Sequence, residues 1–206
     1  MYKTEFCTDN VHMAIKYQSK VDQIEFCSFL DKDGLTPTLE DIKVLTESIK
    51  IPLKVMIRSR DGNFQYKNEE MKQMIRSAKE FINLGINRFV FGSIKNNRMC
   101  IDQVTEFAAE VFPSKVCVHK AIDVSTSILE DTQLLLKIEN VNEILSSGGA
   151  DTAMNGKQIL KQMLQILNGK IDLIAAGKIT YKNINEIDTL IGAPLYHGKN
   201  IIKVAI

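Results

Sequence analysis

The residues with the most chemical promise lie in two short runs, Glu5-Phe6-Cys7 and Glu25-Phe26-Cys27, about twenty residues apart. On a β-strand the side chains alternate between two faces, so each Glu shares a face with its Cys while the Phe takes the other. If the Phe faces pack beneath helices, two carboxylates and two thiols enter one interior. Carboxylates in that setting move protons, and thiols ligate soft metals.

Positioning such groups requires consecutive parallel strands, and the chain supplies the pattern. Strand-like runs at Tyr2 to Cys7, Gln23 to Cys27, Leu53 to Arg58, Arg88 to Gly92, Lys115 to His119, Asn142 to Ser146, Ile171 to Ala175 and Ala193 to His197 alternate with seven helical stretches. Helix signals sit between them: a polar cap at Thr8-Asp9-Asn10, the Gly34-Leu35-Thr36-Pro37 turn before Leu39 to Ile49, Asn68-Glu69-Glu70 opening a helix that ends at Leu84-Gly85, and Pro113 closing Ile101 to Val111. Further helices are expected over Ser125 to Ile138, Asn155 to Leu167 and Lys182 to Ile191. Eight strands joined by right-handed helical crossovers predict a TIM-type (β/α)8 barrel in a single domain, with an open doubly wound sheet as the alternative. Only Ile201 to Ile206 follows the last strand, too little for a full eighth helix. An apolar flank bared between the seventh and first helices would favour a homo-oligomer, a dimer being the simplest case.

In such a barrel the helix-facing sets are Tyr2, Thr4 and Phe6, then Ile24 and Phe26, then Leu53, Val55 and Ile57. The inward sets are therefore Lys3, Glu5 and Cys7, then Gln23, Glu25 and Cys27, then Lys54, Met56 and Arg58. Arg58 is expected to compensate Glu5 and Glu25, and Cys7 and Cys27 to stand above the carboxylates at the C-terminal mouth, where these barrels place their sites. The same ions would also serve as a purely structural core, and the cysteines as small buried hydrophobes. His119 ends the fifth strand, followed by Lys120 and Asp123, and His197 ends the eighth. Arg58 and Arg60 frame a loop carrying Phe64 and Tyr66, suited to gripping an oxyanion. Ser147 and Gly148 after the sixth strand and Gly177 after the seventh stand where barrel loops often cradle phosphate.

Composition narrows the partners. With 26 Lys and Arg against 25 Asp and Glu the chain is almost neutral, so no bulk field draws it to nucleic acid or membrane. Glu5 interrupts any signal-peptide core and no apolar run approaches a membrane span, which reads as cytoplasmic. Cys7, Cys27, Cys100 and Cys117 show neither CxxC nor His-rich spacing, so free thiols or a non-zinc site are expected. No nucleotide cofactor is indicated.

The runs Glu5-Phe6-Cys7, Glu25-Phe26-Cys27, Gly34-Leu35-Thr36-Pro37, Ile57 to Phe64, His119 to Asp123 and Leu145-Ser146-Ser147-Gly148, in that order and spacing, resemble the CutC family of copper homeostasis proteins over nearly the whole chain. The resemblance implies an eight-stranded barrel, a cytoplasmic protein and Cu(I) binding, with Cys7 and Cys27 as the matching thiols. The chain departs from the family pattern at Ser59, Asp61, Asn63 and Lys120, and its Ala175-Ala176-Gly177-Lys178 turn lacks glycines where amides would approach an anion. Two functions follow. One is copper homeostasis, with Cu(I) held by Cys7 and Cys27. The other is an enzyme for a small anionic metabolite, phosphorylated ones included, with Glu5, Glu25, His119 and Asp123 as acids and bases and Arg58, Arg60, Lys120, Ser147, Gly148, Gly177 and His197 as the anion clamp.

Overall fold

A computed structural model of the chain describes residues 2–203. The tail from Val204 to Ile206, which the sequence reading counted among the residues after the last strand, lies outside them. Eight parallel strands close into a barrel: β1 (Lys3–Thr8), β2 (Gln23–Phe26), β3 (Leu53–Met56), β4 (Arg88–Phe91), β5 (Lys115–Val118), β6 (Val141–Ser146), β7 (Asp172–Ala175) and β8 (Leu195–Gly198). Closure runs from β8 back to β1, so the open-sheet alternative is excluded. No helix among the described residues is long and apolar enough to cross a membrane.

Seven helices surround the strands: α1 (Val11–Tyr17), α2 (Leu39–Ser48), α3 (Asn68–Asn83), α4 (Ile101–Val111), α5 (Ile128–Leu135), α6 (Ala153–Leu167) and α7 (Ile184–Ile191). Their caps are the ones the sequence offers. The Asn10 side chain accepts from Met13 N, Thr38 from Asp41 N, and Thr152 from Asn155 N, each satisfying an amide that a helix start leaves unpaired. The outer faces of the strands, including Phe6, Ile24, Phe26, Val55, Phe89, Phe91 and Tyr196, join the helices in one large core. Inside the ring lies a second, smaller cluster of Cys7, Cys27, Met56, Val90, Cys117, Leu145, Ile174, Ala176 and Leu195.

Two expectations differ from the fold, and one element was not foreseen. The helix expected from Ser125 begins at Ile128, after a 3-10 turn over Lys120–Val124, because Ser125 Oγ turns to Asp131 at 2.5 Å and caps Ser127 N instead. A small hairpin, Ile94–Lys95 against Arg98–Met99, follows β4, its turn made by Asn96 and Asn97 with φ of 52° and 57°. Asparagine tolerates that left-handed conformation, so Asn96-Asn97 was a legible turn signal. Finally, the apolar flank expected between α7 and α1 is not bared among the described residues. Tyr2 packs edge-on to Tyr196 at 5.2 Å and hydrogen-bonds Asn185 there, while the exposed large apolar side chains are Phe29, Val44, Phe112, Val124 and Tyr181.

Candidate functional site at the barrel mouth

Register fixes the interior layer by layer. Glu5 stands level with Gln23 on β2 and with His197 on β8, Cys7 level with Glu25, and Glu25 level with Lys54. The two Glu-Phe-Cys runs are thus staggered by one layer, so each carboxylate meets a different partner. On the barrel floor Lys54, fully buried, reaches Glu5 at 2.5 Å and Glu143 at 3.0 Å, while Arg88 holds the other oxygen of Glu143 at 2.8 Å. Gln23 donates to Glu5 at 2.7 Å. Burial pushes the Glu5 carboxyl up, but Lys54 and then His197 outweigh it and hold it at about 2.

This corrects the expected pairing of Arg58 with the glutamates. β3 ends at Met56, so Arg58 lies above the strand and Lys54, four residues earlier, takes the ionic role. Arg58 donates instead to the carbonyls of Lys32 (2.9 Å), Gly34 (3.3 Å) and Gly62 (2.9 Å), tying two mouth loops together, and its guanidinium lies 4.7 Å from the Phe64 ring centre.

Above the floor opens a cavity of about 750 Å³. Cys7, Cys27, Glu25, His197, Arg58, His119, Lys120, Asp123, Ser147 and Gly177 all line it, which brings most of the sequence candidates together. Glu5, Arg60 and Gly148 do not line it. Glu5 is sealed beneath, and Arg60 is bound to Glu70 at 2.5 Å and to the carbonyls of Asp61, Asn63 and Gln65, outside the mouth.

On one side of the cavity, Cys7 Sγ, a Glu25 oxygen and one His197 ring nitrogen lie within 4.8 Å of one another. Cys7 donates to Glu25 at 3.7 Å, and neighbouring Cys27 donates to the Thr8 carbonyl at 3.9 Å. The contact with Cys27, then burial, then the charge of Glu25 push the Cys7 thiol well above its usual range. Burial raises the Glu25 carboxyl, and Glu5 adds to this against the opposing pull of His197. For His197 burial disfavours the charged ring, yet Glu25 and Glu5 together raise its pKa. His197 Nδ1 is 2.8 Å from Glu5, an orienting carboxylate of the kind that stands behind metal-ligating histidines and leaves Nε2 for a ligand.

On the opposite side, His119 Nδ1 accepts from Ala121 N at 3.1 Å, which assigns the ring proton to Nε2. Burial, reinforced by Arg58, lowers its pKa to about 3, so the ring is neutral. The ring fits because residue 92 is glycine: a Cβ there would stand 2.7 Å from Nδ1. That role of Gly92 escaped sequence reasoning, since a strand-ending glycine carries no mark of what it faces.

The expected cradle after β6 is filled from within. Asp123 accepts from Ser146 Oγ, from Ser147 N and Oγ, and from Gly149 N, so its carboxylate closes the loop and occupies the amides expected to bind a ligand. Gly148 and Gly156 serve close packing, since a Cβ on Gly156 would fall 1.8 Å from the Ser147 carbonyl. Gly177 accepts from Ala153 N through its carbonyl, and a Cβ there would meet that nitrogen at 2.7 Å.

The family model of the CutC family matches residues 2–202. The chain belongs to the CutC family. It is 31% identical over 197 residues to a CutC family protein of Glaesserella parasuis, covering 95% of this chain and 81% of that protein. It is also 31% identical over 198 residues to the human copper homeostasis protein cutC homolog, covering 94% of this chain and 71% of the human one. The crystal structure of a CutC copper homeostasis protein from Streptococcus agalactiae superposes with a TM-score of 0.91 at 24% identity, covering 98% of this chain and all of that one. CutC membership accounts for the barrel and for the order of the motifs.

Proposed function

We propose that this chain is a copper homeostasis protein that takes Cu(I) at the barrel mouth through the thiols of Cys7 and Cys27, with His197 as a third donor. The observation that carries the reading is the convergence of Cys7, Glu25 and His197 within 4.8 Å, with Cys27 beside Cys7. Thiolates select Cu(I), imidazole accepts it, and a carboxylate suits harder ions. The donor set therefore fits the ion. Glu25 has a different part. The Cys7 thiol, pushed up by its surroundings, holds its proton until the metal arrives and must lose it to bind as a thiolate. Glu25, 3.7 Å from Cys7 Sγ and with a raised pKa, is placed to receive that proton.

Anaerobic titration with Cu(I) against a competing chelator tests the assignment. The wild-type chain is expected to bind one ion, with affinity falling as pH falls, because protons compete for the thiols. A Cys7→Ala, Cys27→Ala double variant that keeps wild-type affinity removes the proposal.

A further inference from the structure

We propose that the part of the mouth where Arg58 and His119 meet around Phe64 is a binding site for the oxyanion of a small metabolite, a carboxylate or a phosphate ester. The inference does not depend on copper, since it rests on Arg58 and His119, which follow β3 and β5 and are not among the copper donors.

Two observations point to an anion. The first is a buried cation with no counter-ion. Arg58 is 3% exposed, lines the cavity and forms no ion pair among the described residues, its guanidinium donating to three neutral carbonyls. A buried charge is stabilised fully only by an opposite one, and removal of water from this wall strengthens the pull on any anion that arrives. The second is a buried donor without an acceptor. His119 is 4% exposed, its Nδ1 is used by Ala121 N, and its Nε2 has no partner among the described residues. A neutral imidazole N–H beside a guanidinium, both gathered around Phe64, suits an oxyanion and offers nothing to a cation.

The rim agrees. Lys120, Lys178 and Lys199 line the entrance, and Asp33 and Asp151 are the carboxylates there that Asp123's loop closure leaves available. The volume, about 750 Å³, suits a metabolite several times larger than an ion. Asp123 is spent within its own loop, so the anion belongs at Arg58 and His119 rather than at the Ser147 amides.

Two probes separate the ligand sources: malonate for a carboxylate and ribose 5-phosphate for a phosphate ester, each titrated by calorimetry into the copper-free chain at low salt. One of them is expected to bind with a single-site isotherm. His119→Asn keeps an oxygen able to cap Ala121 N but reaches less far into the cavity, and it should weaken that binding about tenfold or more, the worth of one hydrogen bond to a charged group. On the wild-type chain, proton NMR provides a readout independent of the variant's folding: the Nε2–H resonance of His119 should move when the probe is added. Failure of both probes to bind, leaving water as the partner of Nε2, overturns the proposal. So does equal affinity in a folded His119→Asn variant, or a His119 resonance unmoved by saturating probe. Loss of Cu(I) binding in the cysteine variant leaves these outcomes unchanged, so the two readings fail separately.

Discussion

The floor and the mouth of the barrel are built from the same residue types but treat them in opposite ways. On the floor every charged group has a charged partner: Glu5 has Lys54, and Glu143 has both Lys54 and Arg88. In the mouth, Glu25 Oε2, Arg58 Nε and His119 Nε2 are buried without a hydrogen-bond partner among the described residues, against Arg88 Nε on the floor, whose guanidinium is already paired with Glu143. Buried polar groups are nearly always satisfied, so a cluster of exceptions marks where something else completes the structure. The floor holds the barrel together, and the mouth is left for a ligand.

The largest expected effect breaks the floor. Lys54→Met removes the shared cation and leaves two carboxylates buried together, and urea denaturation should show a loss of about 3–5 kcal/mol. A loss below about 1 kcal/mol would mean that the network contributes little. Next comes the acid response of the mouth. His119 has a folded pKa of about 3 against an ordinary 6.5, so below 6.5 the unfolded chain binds a proton that the folded chain refuses. Stability from this group is therefore complete above pH 6.5 and is lost as pH falls toward 3. On the order of 3 kcal/mol should be gone by about pH 4, and that slope should be absent in His119→Asn. Glu5 adds its own loss, which begins lower, as pH falls from 4.5 toward 2. The smallest effect is expected at Glu25. Its Oε2 has no hydrogen-bond partner, only His197 Nδ1 at 3.9 Å, and its neighbour Glu5 is ionised, so Glu25→Gln should stay within about 1 kcal/mol of wild type or exceed it. A loss as large as that of Lys54→Met would erase the distinction between the two layers.

How much of this the sequence carried can be read residue by residue. Alternation alone placed Glu5, Cys7, Gln23, Glu25, Cys27 and Lys54 inside, because the period of two survives any tertiary context. It did not reveal which inward residues share a layer. That depends on the stagger between strands, which sets Cys7 beside Glu25 and leaves the two thiols one layer apart. Nor did it give the role of Arg58, because β3 stops at Met56 and the four residues from Lys54 to Arg58 lead from the floor to the loops above. Asp123 was singled out as an acid, yet its partners lie 23 to 26 residues further along the chain, beyond the reach of local pattern. The Ser-Gly loop signal was real, but the anion it binds is the protein's own.

The contrast between a closed floor and an open mouth is tested most directly by X-ray absorption at the copper edge on the chain loaded anaerobically with one Cu(I). The account predicts sulfur in the first coordination shell together with a lighter nitrogen scatterer, and loss of the sulfur signal in the Cys7→Ala, Cys27→Ala variant. A shell of oxygen and nitrogen alone, or a sulfur signal unchanged in that variant, would contradict it.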